Sequence, residues 1–149
     1  MASVFSNATM TFIFQEKVTI NNTEYGSRTE VKIGGINEVV QRVVSVPTSQ
    51  VTVLNLGSTV GAGTMVTGNV QYARLTNLDN ENWIRLTFAS GSANQFDVRL
   101  DPEKSYVFSN AKLSGSAAGD TFGSFTNFTS LKAVADSSAV DLEIFVASK

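Results

Sequence analysis

Hydrophobic side chains recur at every second position through most of this chain, and that spacing limits the fold more than any other feature. Met10, Phe12, Phe14, Glu16, Val18 and Ile20 share one parity, while Thr9, Thr11, Gln15, Lys17 and Thr19 hold the other. Successive side chains leave a strand on opposite faces, so this is the pattern of a half-buried strand. Only Ile13 interrupts the polar side. Val140, Leu142, Ile144 and Val146 alternate with Asp141, Glu143 and Phe145 more cleanly still, which predicts a strand central to a sheet. Ile84, Leu86 and Phe88 repeat the pattern, as do Phe96, Val98 and Leu100, Tyr106 and Phe108, and more weakly Leu131, Ala133 and Ala135.

The breaks between these runs carry turn residues. Gly34 and Gly35 can both take positive φ, so they predict a type I′ hairpin joining Tyr25 to Ile33 with Ile36 to Val46. Asp101, Pro102, Glu103 and Lys104 place proline second in a type I turn. Asn80, Glu81 and Asn82 make a polar break before Trp83. One stretch is ambiguous, because Ile36, Val39, Val40, Val43 and Val44 fall at helical spacing. Their β-branching and the following Val46-Pro47 favour a strand with a bulge or with burial on both faces.

Gly57 to Gly68 and Leu113 to Gly123 read as long loops, since glycine recurs among Ser and Thr in both. About eight to ten short strands with short turns then predict an all-β chain: a single-domain antiparallel β-sandwich, jelly-roll-like. A chain of 149 residues suffices for one core. The sandwich is expected over residues 10–149, preceded by an N-terminal arm, 1–9, available to a partner.

Composition narrows the chemistry. The sequence has no histidine and no cysteine. Triads built on either residue, and metal sites with nitrogen or sulfur ligands, therefore cannot be assembled. Carboxylate pairs remain, from Asp97, Asp101, Glu103, Asp120, Asp141 and Glu143, but Asp141 and Glu143 occupy the polar face of a strand, where a solvated charge is the simpler account. No enzymatic activity is expected, and no cofactor. Asp79, Asn80, Glu81 and Asn82 gather oxygen donors that could touch Ca²⁺, without the spacing of an EF-hand loop, and they serve a turn better.

Charged residues make up 16% of the chain, below the roughly 25% usual in soluble domains. With a net charge of -2 and no Lys/Arg cluster, no partnership with nucleic acid or anionic membrane is expected. No apolar run reaches the ~20 residues of a bilayer span, and Met1 to Met10 lacks the pattern of a signal peptide, so synthesis in a cytosol is expected.

Several segments together resemble small virion structural proteins of tailed bacteriophages, including cyanophages. They are Ile36-Asn37-Glu38-Val39-Val40-Gln41-Arg42-Val43-Val44-Ser45-Val46-Pro47-Thr48, Tyr72-Ala73-Arg74-Leu75-Thr76-Asn77-Leu78-Asp79, Asn82-Trp83-Ile84-Arg85-Leu86, Phe96-Asp97-Val98-Arg99-Leu100-Asp101-Pro102-Glu103-Lys104-Ser105 and Ala139-Val140-Asp141-Leu142-Glu143-Ile144. The resemblance covers most of the chain from Ile36 onward and is one of cadence and composition, with no catalytic motif. It implies a capsid cement or decoration protein on the virion surface, often a homotrimer, with the major capsid protein as partner. It transfers no catalytic or metal-binding residue.

For the contact surface, the sequence nominates ends and long loops, where sandwiches acquire partners. The residues are Val4 and Phe5 in the arm, Met65 and Val66 in the first loop, and Phe122, Phe125 and Phe128 in the stretch from Gly119 to Phe128 that ends the second loop and runs past it. For the three phenylalanines, closing one end of the core is the simpler role. The alternative function is a tail or receptor-binding module for host surface glycans, which would need Trp83, Tyr72 or Tyr106 exposed on one face.

Overall fold

A computed structural model describes residues 8–61, 63–90, 94–109 and 128–149. The chain divides into two compact units, Met1–Asn37 and Glu38–Lys149. The strand that begins near Met10 thus belongs to the first unit, and the sandwich starts at Glu38, where the sequence had placed its start at Met10.

The first unit is a two-stranded ribbon. Strand β1 (Ala8–Gln15) continues through β2 (Val18–Ile20) to a tip, and β3 (Thr23–Tyr25) returns into β4 (Arg28–Ile36). β2 pairs with β3 and β1 with β4, all antiparallel. The tip is Asn21-Asn22, with φ of 50° and 64° between the paired Ile20 and Thr23. Two positive φ values in a two-residue loop are what a type I′ turn requires, and asparagine tolerates them better than other side chains. The hairpin expected at Gly34-Gly35 is therefore absent. Both glycines lie inside β4, where Ala8 pairs with Ile36 but Met10 pairs with Ile33. The extra residue on β4 is a bulge, and Gly35 meets its backbone demand at φ 77°.

Between the two hairpin segments stands Gly26, whose φ is 138°. A Cβ there would sit 2.0 Å from the Glu16 carbonyl oxygen. The neighbouring Glu16 N–H donates to the Ser27 carbonyl at 2.9 Å, so the two chains are held in close register at this point. Gly26→Ala is expected to unpair residues 16–27, seen as loss of amide hydrogen-exchange protection in β2 and β3 with the sandwich amides unchanged.

The second unit is an antiparallel β-sandwich. One sheet holds five strands in the order β10 (Asn94–Leu100), β9 (Ile84–Ser90), β12 (Ser130–Ala135), β6 (Val51–Gly57), β7 (Thr64–Val66). The other holds four: β11 (Ser105–Ser109), β8 (Val70–Asn77), β13 (Val140–Ser148), β5 (Glu38–Val46). All neighbours are antiparallel except β6 and β7. As its alternation predicts, β13 lies inside a sheet, between β8 and β5, and its Val140, Leu142, Ile144 and Val146 are at most 1% exposed. Beside them in the same sheet Val46 and Leu75, and from the other sheet Ile84 and Leu86, complete the centre of the core. At ~1.5–3 kcal/mol for each large apolar side chain withdrawn from water, this layer supplies the main drive for folding the unit.

The stretch with helical spacing is a strand. Its alternation is hidden because valine occupies both faces of β5: Val40, Val44 and Val46 turn toward the core, while Val39 and Val43 face outward. No bulge interrupts the pairing of β5 with β13. The expected loop from Gly57 to Gly68 contains β7, which runs parallel to β6 and buries Met65. The expected loop from Leu113 to Gly123 lies outside the described residues. At Asp101 to Lys104 the predicted turn forms, with the Lys104 N–H donating to the Asp101 carbonyl at 3.2 Å, but Glu103 takes a φ of 58°. Positive φ at the third position belongs to type II, so the proline was read correctly and the turn type was not.

Candidate contact surfaces

Four features of the described residues could carry contact or chemistry: the aromatic end of the sandwich, the turn at Asp79, the polar outer face of the four-stranded sheet, and the ribbon.

At one end of the sandwich, Phe88 is the hub of an aromatic cluster. Its ring stacks on Phe96 at 4.7 Å and 12°, and meets Phe108 at 5.0 Å, Phe128 at 5.8 Å and Tyr106 at 5.8 Å. Phe96 also meets Phe128 edge-on at 5.6 Å. Phe128 is only 7% exposed. Of the two roles open to the three late phenylalanines, Phe128 takes that of closing the core. Phe122 and Phe125 lie outside the described residues, as do Val4 and Phe5 in the arm. Met65 is 3% exposed and belongs to the core, which leaves its side chain unable to meet a partner. Val66 is half-buried and joins Phe128 on the wall of an open cleft of about 480 Å³, with Leu56 and Thr67.

The oxygen donors after β8 are consumed by the turn they make. Asp79 Oδ1 accepts from the Glu81 N–H at 2.7 Å, the Asn82 N–H at 2.6 Å and the Asn82 side-chain amide at 3.4 Å. These bonds, the Asn82 backbone first and the Glu81 backbone second, hold the Asp79 carboxyl below the usual carboxylate range. Beneath the turn, Asn77 is fully buried. Its amide donates to the Asn82 carbonyl at 2.8 Å and the Leu100 carbonyl at 3.2 Å, and its Oδ1 accepts from the Asp79 N–H at 3.0 Å. One side chain thereby ties the end of β8 to the turn and to β10. Asn77 drew no attention in the sequence, where it reads as one more turn residue.

On the outer face of the four-stranded sheet a polar chain crosses all four strands. Gln41 on β5 donates to Glu143 Oε1 at 2.9 Å, and Arg74 on β8 reaches Glu143 Oε2 at 2.7 Å. Arg74 also donates to Thr76 Oγ1 at 2.5 Å, and Thr76 shares a hydrogen bond of 2.8 Å with Ser105 on β11. The Arg74 bond, and then the Gln41 bond, lower the pKa of Glu143. A carboxyl with a depressed folded-state pKa adds stability above its unfolded value, and that contribution disappears as pH falls through the folded one. Titration of Glu143 followed by carboxyl ¹³C NMR is expected to show a midpoint below the ordinary ~4.3, returning toward it in Arg74→Ala.

Stacking on sugars would require aromatic rings to share one exposed face. Tyr106 is paired with Leu75 and points into the sandwich, where burial raises its pKa. Tyr72, on the same sheet with opposite parity, sits edge-on to Phe145 at 5.9 Å and is 7% exposed. Trp83 precedes β9 of the other sheet, with the Arg99 guanidinium 5.0 Å over its ring. The three rings named by the sequence are therefore not gathered on one platform.

The ribbon is the reverse case, with apolar groups left outside. Val18, Ile20 and Tyr25 flank its tip at 53%, 55% and 58% exposure. Val18 and Tyr25 are a directly paired couple, and Ile20 follows Val18 on the same face. Ionic pairing lines other positions, with Lys17 2.5 Å from Glu24 and Lys32 3.4 Å from Glu30. The arm expected from the sequence ends at residue 9. The turn signal Asn21-Asn22 between Ile20 and Thr23 would have extended it.

In comparisons with known proteins, no family model, no curated protein and no solved structure matches this chain. Among the described residues, no group of three or more acidic side chains is placed to hold a metal ion.

Proposed function

We propose that this protein is a structural component of a tailed-phage virion that works by contact, seated on the capsid as a cement or decoration protein. The observation that carries this reading is the ribbon. A two-stranded ribbon is marginal in water by itself, and here its tip presents Val18, Ile20 and Tyr25 to solvent around a rigid type I′ turn. An arm of that kind suits insertion against a neighbouring subunit, while the sandwich supplies a stiff body. The resemblance of the segments from Ile36 onward to small virion proteins points the same way, and it names the major capsid protein as the partner. Self-association on the particle, often as a homotrimer, follows from the same resemblance and suits repeated packing on a symmetric lattice. Contacts that span capsid subunits stabilise the assembled shell over its parts.

The test is particle reconstitution. Shells lacking the protein are expected to release genome at lower temperature than complete ones, and added protein is expected to restore them. Protein carrying Val18→Ser, Ile20→Ser and Tyr25→Ser together should bind such shells at least about tenfold more weakly, a loss on the order of 1.4 kcal/mol or more. Shells of unchanged heat stability without the protein, or undiminished binding by the triple variant, would overturn the proposal. Binding to a host glycan without binding to shells would move the protein to the tail.

A further inference from the structure

We infer that two copies of this chain associate through the free edge of β5, in antiparallel register about a two-fold axis at Gln41. The inference shares with the proposed function only the premise of self-association, and it concerns which surface performs it.

Among the described residues, strand β5 ends the four-stranded sheet and pairs with β13 alone. It is nine residues long, contains no proline and no glycine, and keeps regular register along β13. Edge strands of that length normally carry devices that prevent pairing, because their unpaired N–H and C=O groups template another strand. β5 carries one such device, the charged Glu38 and Arg42 on its inward face, but its outward face exposes Val39 at 54% and Val43 at 57%. The facing sheet also has one strand more. The side chain of Arg42 donates to the Val53 carbonyl, which sets β5 against β6 and leaves β7 beyond it. A cleft of about 90 Å³ runs along this margin, lined by Glu38, Val40, Arg42, Leu54, Thr64 and Met65. A strand added to β5 would lie over β7 and give both sheets five strands.

The sequence of β5 is self-complementary in that position. With Gln41 opposite Gln41 of the other copy, Val39 faces Val43 and Val43 faces Val39, so four exposed valines join into one apolar stripe. On the inward face Arg42 stands opposite Val40, and its diagonal neighbours are Glu38 and Arg42 of the second copy. Diagonal neighbours lie about 7–8 Å apart at Cα, within reach of long side chains. The symmetry repeats the Arg42 and Glu38 pairing, giving two opposite-charge contacts for each interface. Moving the axis to Arg42 would set the two guanidinium groups directly opposite each other, and moving it to Val40 would set Val39 against Gln41 and break the valine stripe, so charge and apolar pairing together select the axis at Gln41. The occupant is thus a second copy of this chain, and the assembly is a closed dimer with the same patch on both sides. A three-fold ring cannot use this edge, since an isologous contact closes at two.

Charge exchange tests the pairing. In Glu38→Arg the facing groups are both positive, and in Arg42→Glu both negative, whereas an equimolar mixture of the two variants restores opposite charges at both contacts. Sedimentation velocity is expected to show a wild-type dimer, dissociation of each variant alone with Kd raised about tenfold or more, and dimers again in the mixture. Circular dichroism of each variant controls for folding. Because the chain has no cysteine, Gln41→Cys provides an independent reading: directly opposite residues lie at disulfide distance, so mild oxidation should convert it to a cross-linked dimer. A wild-type monomer or trimer, a mixture no more associated than its parts, or no cross-link at position 41 would each overturn the inference. Dimers formed this way by a protein that ignores capsids would leave the edge contact standing and remove the virion reading.

Discussion

Replacing the amide of one buried side chain by a carboxylate, in Asn77→Asp, should destabilise the sandwich by about 3–5 kcal/mol at neutral pH. The change is nearly isosteric, so the cost is electrostatic. The wild-type amide gives hydrogen bonds to two carbonyls, of Asn82 and Leu100, in a site with no exposure to water. A carboxylate there can still accept from the Asp79 N–H but presents negative charge to both carbonyl oxygens. Burial raises the folded-state pKa of such a group above its unfolded value near 3.9. The protonated form is then favoured in the folded state, and its contribution is present in full below the unfolded pKa and lost as pH rises through the folded one. The difference from wild type should accordingly shrink as pH is lowered. Paired urea titrations at pH 4 and pH 7 check this, with equal differences at the two values counting against the assignment.

Phe88→Ala should cost a similar amount, about 3–5 kcal/mol, because Phe88 contacts four other rings and is only 2% exposed. Part of that loss is the cavity and part is the loss of ring geometry, at ~0.5–1.5 kcal/mol for an aromatic pair. Phe88→Leu keeps much of the volume and removes the stack on Phe96, so it separates the two contributions. A midpoint shift in urea at unchanged slope is the expected readout for both variants. If Phe88→Leu were as damaging as Phe88→Ala, ring geometry would dominate over volume.

The sandwich was readable wherever one face of a strand is buried and the other is wet. In β13 the alternation from Val140 to Val146 predicted both the strand and its interior place. It was less readable where hydrophobicity serves something other than the core. Val39 and Val43 are as apolar as Val40 and Val44 but lie on the outer side, and the four together imitate the spacing of a helix. Glycine pairs and asparagine pairs both permit positive φ, so the turn signal at Gly34-Gly35 competes with one at Asn21-Asn22. Here Gly34-Gly35 hosts a bulge and Asn21-Asn22 makes the turn. That exchange concealed the ribbon and hence the division at Asn37. Of the proposed interface, Val66 and Phe128 share a cleft, but Met65 and Phe128 are packed inward because β7 and the aromatic cluster use them. Asn77 could not be recognised from sequence, since nothing local distinguishes an asparagine under a turn from one in it.

The position of β13 also sets a timetable for folding. It is synthesised after every other described strand, yet among the described residues β5 has no other sheet partner and β8 borders β13 on the opposite side. The ribbon closes through neighbours in sequence, and hairpins of that kind form in about 1–10 μs. The larger unit must hold Val39 and Val43 ready for a strand a hundred residues downstream, where Ala147 pairs with Val39. Contacts of such separation slow folding and leave unpaired edges open to other chains in the interval. Nascent chains of this protein are therefore most exposed to misassociation along β5 before β13 arrives, and a dimer through that same strand can form only once the sheet behind it is complete.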